Sequence, residues 1–173
     1  MTLHLKSNVS GIISLIVISR ILILPIFFLL ILYEYKIPAL LLLLVVLSTD
    51  YLDGYLVKKL NLKPMFSFYL DPVSDFIFIL ISFYAFVIKG IYPLSVLFII
   101  LLMFIQFVLS SGFRNPIYDP VGKYYGIFLF LIIGITILLE KYYDLIIVGI
   151  IIFSIISVSS RIVFFSNIKK LNK

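Results

Sequence analysis

A chain of 173 residues that is 64% hydrophobic and only 13% charged lacks the polar surface that a soluble domain of this length needs. It contains no Cys, which excludes disulfides, thiolate metal sites and cysteine nucleophiles. Its net charge of +6 suits a protein beside anionic lipid headgroups or phosphorylated substrates.

Residues 1–10, MTLHLKSNVS, are weakly amphipathic and predict a short helix along a membrane surface. Six apolar stretches follow, over roughly 11–33, 37–57, 66–88, 91–112, 122–140 and 143–164. Each is long enough to cross a hydrocarbon core of about 30 Å as a helix, and none alternates as a strand does. The expected fold is therefore all-α, an integral membrane protein of six transmembrane helices, with residues 1–173 forming a single domain. The first apolar run has no small-residue cleavage site, so it predicts a span rather than a signal peptide. The links between stretches are short, which makes sequential helices antiparallel. Six spans put both termini on one side. That side takes every basic residue except Lys36, Lys89 and Lys141, out of 14 Lys and Arg in all. The imbalance predicts a multi-pass cell-membrane protein with cytoplasmic termini.

Half of the eight acidic residues fall between positions 50 and 75. Asp50 and Asp53 stand at i and i+3 near the end of the second span. Asp71 and Asp75 stand at i and i+4 near the start of the third. Each pair occupies one side of its helix. At 1.5 Å per residue, all four lie within roughly 5–15 Å of the cytoplasmic boundary. A carboxylate placed in lipid costs about 2.5–3.5 kcal/mol near mid-membrane, and four together also repel one another. Metal ions, basic side chains or protons must compensate. Hard oxygen donors favour Mg²⁺, Mn²⁺ or Ca²⁺, and a carboxylate pair from each helix suits a two-metal site. Gly54, directly after Asp53, lets another group approach the backbone.

The stretch Asp50, Asp53, Gly54, Val57, Lys58, Ser67, Asp71, Asp75 resembles the pattern D-x2-D-G-x2-A-R-x8-G-x3-D-x3-D of the CDP-alcohol phosphotransferases. Every spacing is kept, as are all four acids and the first Gly. Val57, Lys58 and Ser67 stand where the pattern has Ala, Arg and Gly. The resemblance implies transfer of the phosphoryl-alcohol unit of a CDP-linked lipid to an acceptor hydroxyl, with release of CMP. It implies that Asp50, Asp53, Asp71 and Asp75 hold two divalent ions, Mg²⁺ or Mn²⁺, and that Asp75 is the general base. It further implies that Asp50, Gly54, Lys58 and Ser67 line the CDP-substrate site, and that the protein is a homodimer. The expected partners are a CDP-linked lipid, a small alcohol, membrane lipids and a second copy of the chain, with no nucleic acid.

FYLDPVSDF resembles the form found in members that accept glycerol phosphate, the phosphatidylglycerophosphate synthase-like group. SRILILPIFFLLI, with Arg20 and Pro25, resembles their first helix. Inositol phosphate and serine are the alternative acceptors. A phosphorylated acceptor needs cations near the cavity, and the expected ones are Arg20, Arg114, Lys123 and Arg161, all toward the cytoplasmic ends of spans. Arg20 sits about 13 Å into the first span, too deep for easy snorkelling. Arg suits phosphate because it can form two parallel bonds. The rival class is a cation channel or transporter with intramembrane carboxylates.

Overall fold

A computed structural model describes residues 19–59, 67–111 and 124–171, with side chains described over 19–49, 72–109, 124–139 and 141–164. The surface helix expected over residues 1–10 lies outside them. Among the described residues there are six α-helices and no strands: α1 (Ser19–Leu32), α2 (Lys36–Lys59), α3 (Ser67–Ile88), α4 (Leu94–Ser111), α5 (Tyr125–Leu138) and α6 (Tyr143–Leu171). A 3₁₀ turn, Glu140–Tyr142, joins α5 to α6.

The helix ends follow local chemistry. α1 stops in a Schellman turn, in which Tyr35 N–H donates to Leu30 O (2.9 Å) and Glu34 N–H donates to Ile31 O (3.2 Å). This turn needs a left-handed residue, and Glu34 supplies it at φ 63°. α3 ends the same way, with Ile91 N–H to Phe86 O and Gly90 N–H to Val87 O, both 2.9 Å, and Gly90 at φ 73°. Pro38 sits in the first turn of α2, where its missing N–H leaves no helical bond unmade. Pro93 directly precedes α4 and biases Tyr92 away from helix, so α4 begins later than the apolar run does. α6 runs to Leu171, past the expected end near residue 164, because residues 165–171 contain no Pro or Gly.

The chain divides into two compact units, Met1–Ala85 and Phe86–Lys173. In the first, three contacts tie α1 to α3 in the same chain direction: Arg20 with Asp75, Phe27 with Phe78, and Phe28 with Tyr84. Two helices separated by one reversing helix must run the same way, as the short links predict. In the second unit α6 packs on α4 and α5. Phe128 stacks on Phe153 at 4.3 Å, and the Tyr125 hydroxyl meets Ser154 Oγ at 2.9 Å. Tyr92, just before α4, hydrogen-bonds Thr136 near the end of α5.

Hydroxyls inside the helices also satisfy themselves locally. Ser82, Thr136 and Ser154 each donate to the carbonyl four residues earlier at 2.7 Å. Each helix also leaves large apolar side chains exposed, among them Leu22, Leu41, Leu102, Leu131, Leu145 and Ile162. Water does not favour apolar surface on that scale. By length and composition, Tyr143–Phe164 is long and apolar enough to cross a membrane. The apolar runs of the other described helices are shorter.

Candidate active site

The buried residues of α1 are Arg20, Leu24, Phe27 and Ile31, a progression of four, three and four that marks one inward helix face. Arg20 therefore continues the core stripe of α1, and only 1% of its surface is exposed. On α3 a progression of three, four and three runs through Asp75, Phe78, Ser82 and Ala85; the last three are buried, whereas the Asp75 side chain keeps 25% of its surface exposed. The stripes meet where Arg20 Nη1 donates to Asp75 Oδ1 at 2.7 Å. Next to this pair, the Phe27 and Phe78 rings pack with centroids 4.8 Å apart. An unpaired charge at so buried a position costs several kcal/mol, and the ion pair offsets part of that penalty. For Asp75, the compensating positive group is thus a basic side chain.

Asp75 stands about 12 Å along α3 from its start, at 1.5 Å per residue. Asp71 lies one turn closer to that start. Asp50 and Asp53 lie about 14 and 9 Å from the end of α2 by the same rise. The side chains of Asp50, Asp53, Gly54, Val57, Lys58, Ser67 and Asp71 lie outside the described set, although their backbone is helical. Pro72 follows Asp71 directly and has no N–H to give to the carbonyl of Phe68, which weakens the first turns of α3 beside the acids.

Arg161 occupies the inward stripe of α6 after Ile146, Ile150, Ser154 and Ser157, all buried, and is itself 5% exposed. Its guanidinium carbon lies 5.8 Å from the Phe107 ring centroid. A cation over an aromatic face is attracted by the ring quadrupole, and more so when water is excluded. Arg114 and Lys123 lie outside the described residues. Sequence reasoning gives Arg20 and Asp75 separate tasks and finds neither their contact nor that of Arg161 with Phe107. The one signal for the Arg20 contact was the 20, 24, 27, 31 periodicity, which turns the Arg toward the core.

A carboxylate motif spread over α2 and α3 suits hard divalent cations, which in turn bind phosphate oxygens. The sequence profile of the CDP-alcohol phosphatidyltransferases matches residues 12–159, and the chain belongs to that family. No curated protein matches the chain. Members of the family transfer a substituted phosphate group from a CDP-alcohol in phospholipid biosynthesis, and this chain is such a transferase. That chemistry takes the place of the channel or transporter reading. The family is generally dependent on divalent metal. The donor chemistry here fits that requirement: the motif supplies only hard carboxylate oxygens, and Asp75 keeps accessible surface beside its Arg partner.

Proposed function

We propose that the protein transfers the phosphatidyl-type group of a CDP-linked lipid to the hydroxyl of a glycerol phosphate-like alcohol and releases CMP. The observation that carries this reading is the four-aspartate motif lying within the family match, with Asp75 accessible on α3 and bonded to a buried Arg. Asp50, Asp53, Asp71 and Asp75 would hold two Mg²⁺ or Mn²⁺ ions, which when bound supply neutralising charge at the diphosphate. Gly54 would let the nucleotide lie against the helix, Lys58 would contact it with positive charge, and Ser67 would add a small side chain at the close approach.

The acceptor oxygen forms a bond to the phosphorus that carries the lipid alcohol. The bond from that phosphorus to the CMP oxygen breaks, and CMP leaves with the electron pair. Asp75 takes the hydroxyl proton. A positioned base of this kind contributes roughly 10²–10⁴-fold. Arg114 and Lys123 are the cations assigned to the acceptor phosphate, Arg114 through two parallel bonds and Lys123 as a point charge, whereas Arg161 is buried against Phe107. The phosphatidylglycerophosphate synthase-like subtype is favoured by LDPVSD in α3 and by Arg20 and Pro25 in α1.

In this reading residues 1–173 act as one catalytic domain in a homodimer. The chain crosses the membrane six times with both termini and the site cytoplasmic, and lipid covers the exposed apolar faces. The test is CMP release by the purified full-length protein with Mn²⁺ or Mg²⁺. CDP-diacylglycerol and its ether-linked counterpart serve as donors, and glycerol phosphate, inositol phosphate, inositol and serine are offered singly. Release with glycerol phosphate alone is the expected result. Release with another acceptor reassigns the subtype, and release with none removes the proposal.

A further inference from the structure

We infer that Arg20 is a positioning residue for Asp75, fixing the base from the buried side while the carboxylate stays open to substrate. The inference rests on the reaction proposed above and departs from the expectation that Arg20 binds the acceptor phosphate.

Three observations carry it. The guanidinium is bound to the carboxylate at 2.7 Å, across 55 positions of sequence. The two partners differ sharply in access, at 1% for the Arg20 side chain and 25% for that of Asp75. The Arg is also immobilised by its surroundings. Leu24 and Phe27 follow it on the inward face of α1, and the Phe27–Phe78 contact fixes α1 against α3 beside the ion pair.

A phosphate-binding cation must present donors to an incoming anion. Arg20 instead presents its Nη1 donor to a side chain of the same unit and shows almost no surface to solvent. A base must sit within hydrogen-bond reach of the proton it takes, and a displacement of about 1 Å from productive geometry can cost 10²-fold. Asp75 has rotatable χ1 and χ2, so anchoring Oδ1 restricts both. A planar guanidinium held by packing is a better anchor than a flexible ammonium.

The experiment compares wild type, Arg20→Gln and Arg20→Lys as full-length proteins in detergent. CMP release is measured with CDP-diacylglycerol, Mn²⁺ and whichever acceptor the wild type uses, so a change of acceptor corrects the function above and leaves this comparison intact. Binding of CDP with Mn²⁺ is measured alongside. Loss of an interaction that acts on the chemical step lowers kcat, whereas loss of a substrate contact raises KM. The expected result for Arg20→Gln is kcat lower by about 10²-fold, with both KM values and CDP binding within about threefold. Arg20→Lys should recover at least about tenfold of that loss, because it restores a charged donor to Asp75.

A raised acceptor KM at unchanged kcat would overturn the inference in favour of a phosphate clamp. Unchanged kinetics would overturn it outright, and joint loss of CDP binding and turnover would reduce Arg20 to a structural role. If Arg20→Gln does not fold, Arg20→Lys decides alone: kcat reduced about tenfold at constant KM supports positioning, and any other pattern contradicts it. A wild type that releases no CMP with any acceptor removes this inference together with the reaction it rests on.

Discussion

At the scale of single residues, the buried charges among the described residues lie on the inward faces of their helices. Arg20 and Arg161 are the buried cations of α1 and α6 among the described residues, and each has a specific neighbour: a carboxylate for Arg20, an aromatic ring for Arg161. The burial of Arg20 was partly legible in the sequence, because a four-three-four spacing with Leu24, Phe27 and Ile31 puts it on the core face; Arg161 shares that spacing with Ile150, Ser154 and Ser157, where two serines blur the signal. Their neighbours were not. Asp75 is 55 positions from Arg20, and periodicity within one helix says nothing about which residue faces it on another. Phe107 is one of 17 Phe in the chain, and nothing in its own surroundings singles it out. The Arg161 contact gives a residue-level prediction. Phe107→Leu keeps apolar volume but removes the quadrupole, and should destabilise the protein by about 2 kcal/mol in thermal or denaturant unfolding, the size of a desolvated cation–π contact. A change below a few tenths would mean that the ring is not supporting the guanidinium.

At the scale of elements, the helices follow the apolar runs closely, since a helix satisfies its backbone hydrogen bonds within its own segment. α2 and α3 begin and end within about two residues of the stretches read from sequence. The departures sit where hydropathy competes with backbone chemistry. Pro93 delays α4, and the polar, breaker-free tail prolongs α6. The two Schellman turns offer a matched pair of tests. Glu34 holds a left-handed conformation that costs a residue with a Cβ roughly 1–2 kcal/mol. Glu34→Gly should therefore raise stability by about 1 kcal/mol, and Gly90→Ala should lower it by a similar amount. A Cβ at Gly90 meets nothing within 4 Å, so the loss would come from backbone conformation and not from a clash. Effects of the opposite sign in unfolding experiments would rule out this account of the two turns.

At the scale of the whole molecule, the composition already pointed to a membrane, and the exposed apolar faces of all six helices agree with it. The carboxylate quartet and its spacing were legible because such acids are rare in apolar helices and costly without a counter-charge. What compensates Asp75 became visible only in three dimensions. Orientation can be tested cleanly because the chain has no Cys. A single Cys at Lys141 should react with a membrane-impermeant maleimide in intact cells. One at Lys173 should react only after permeabilisation, as the distribution of basic residues predicts. The reverse pattern would put the site on the outer face and contradict the proposed topology.

In the proposed reaction Asp75 takes the proton of the acceptor hydroxyl as CMP departs. The most direct measurement is single-turnover CMP release by wild type and by Asp75→Asn, with CDP-diacylglycerol, Mn²⁺ and the preferred acceptor all saturating. Asn keeps the size of the side chain and an oxygen for Arg20 to bind, but cannot take up the proton. The expected rate is lower by roughly 10²–10⁴-fold in the variant. A variant that releases CMP at the wild-type rate would contradict this role of Asp75.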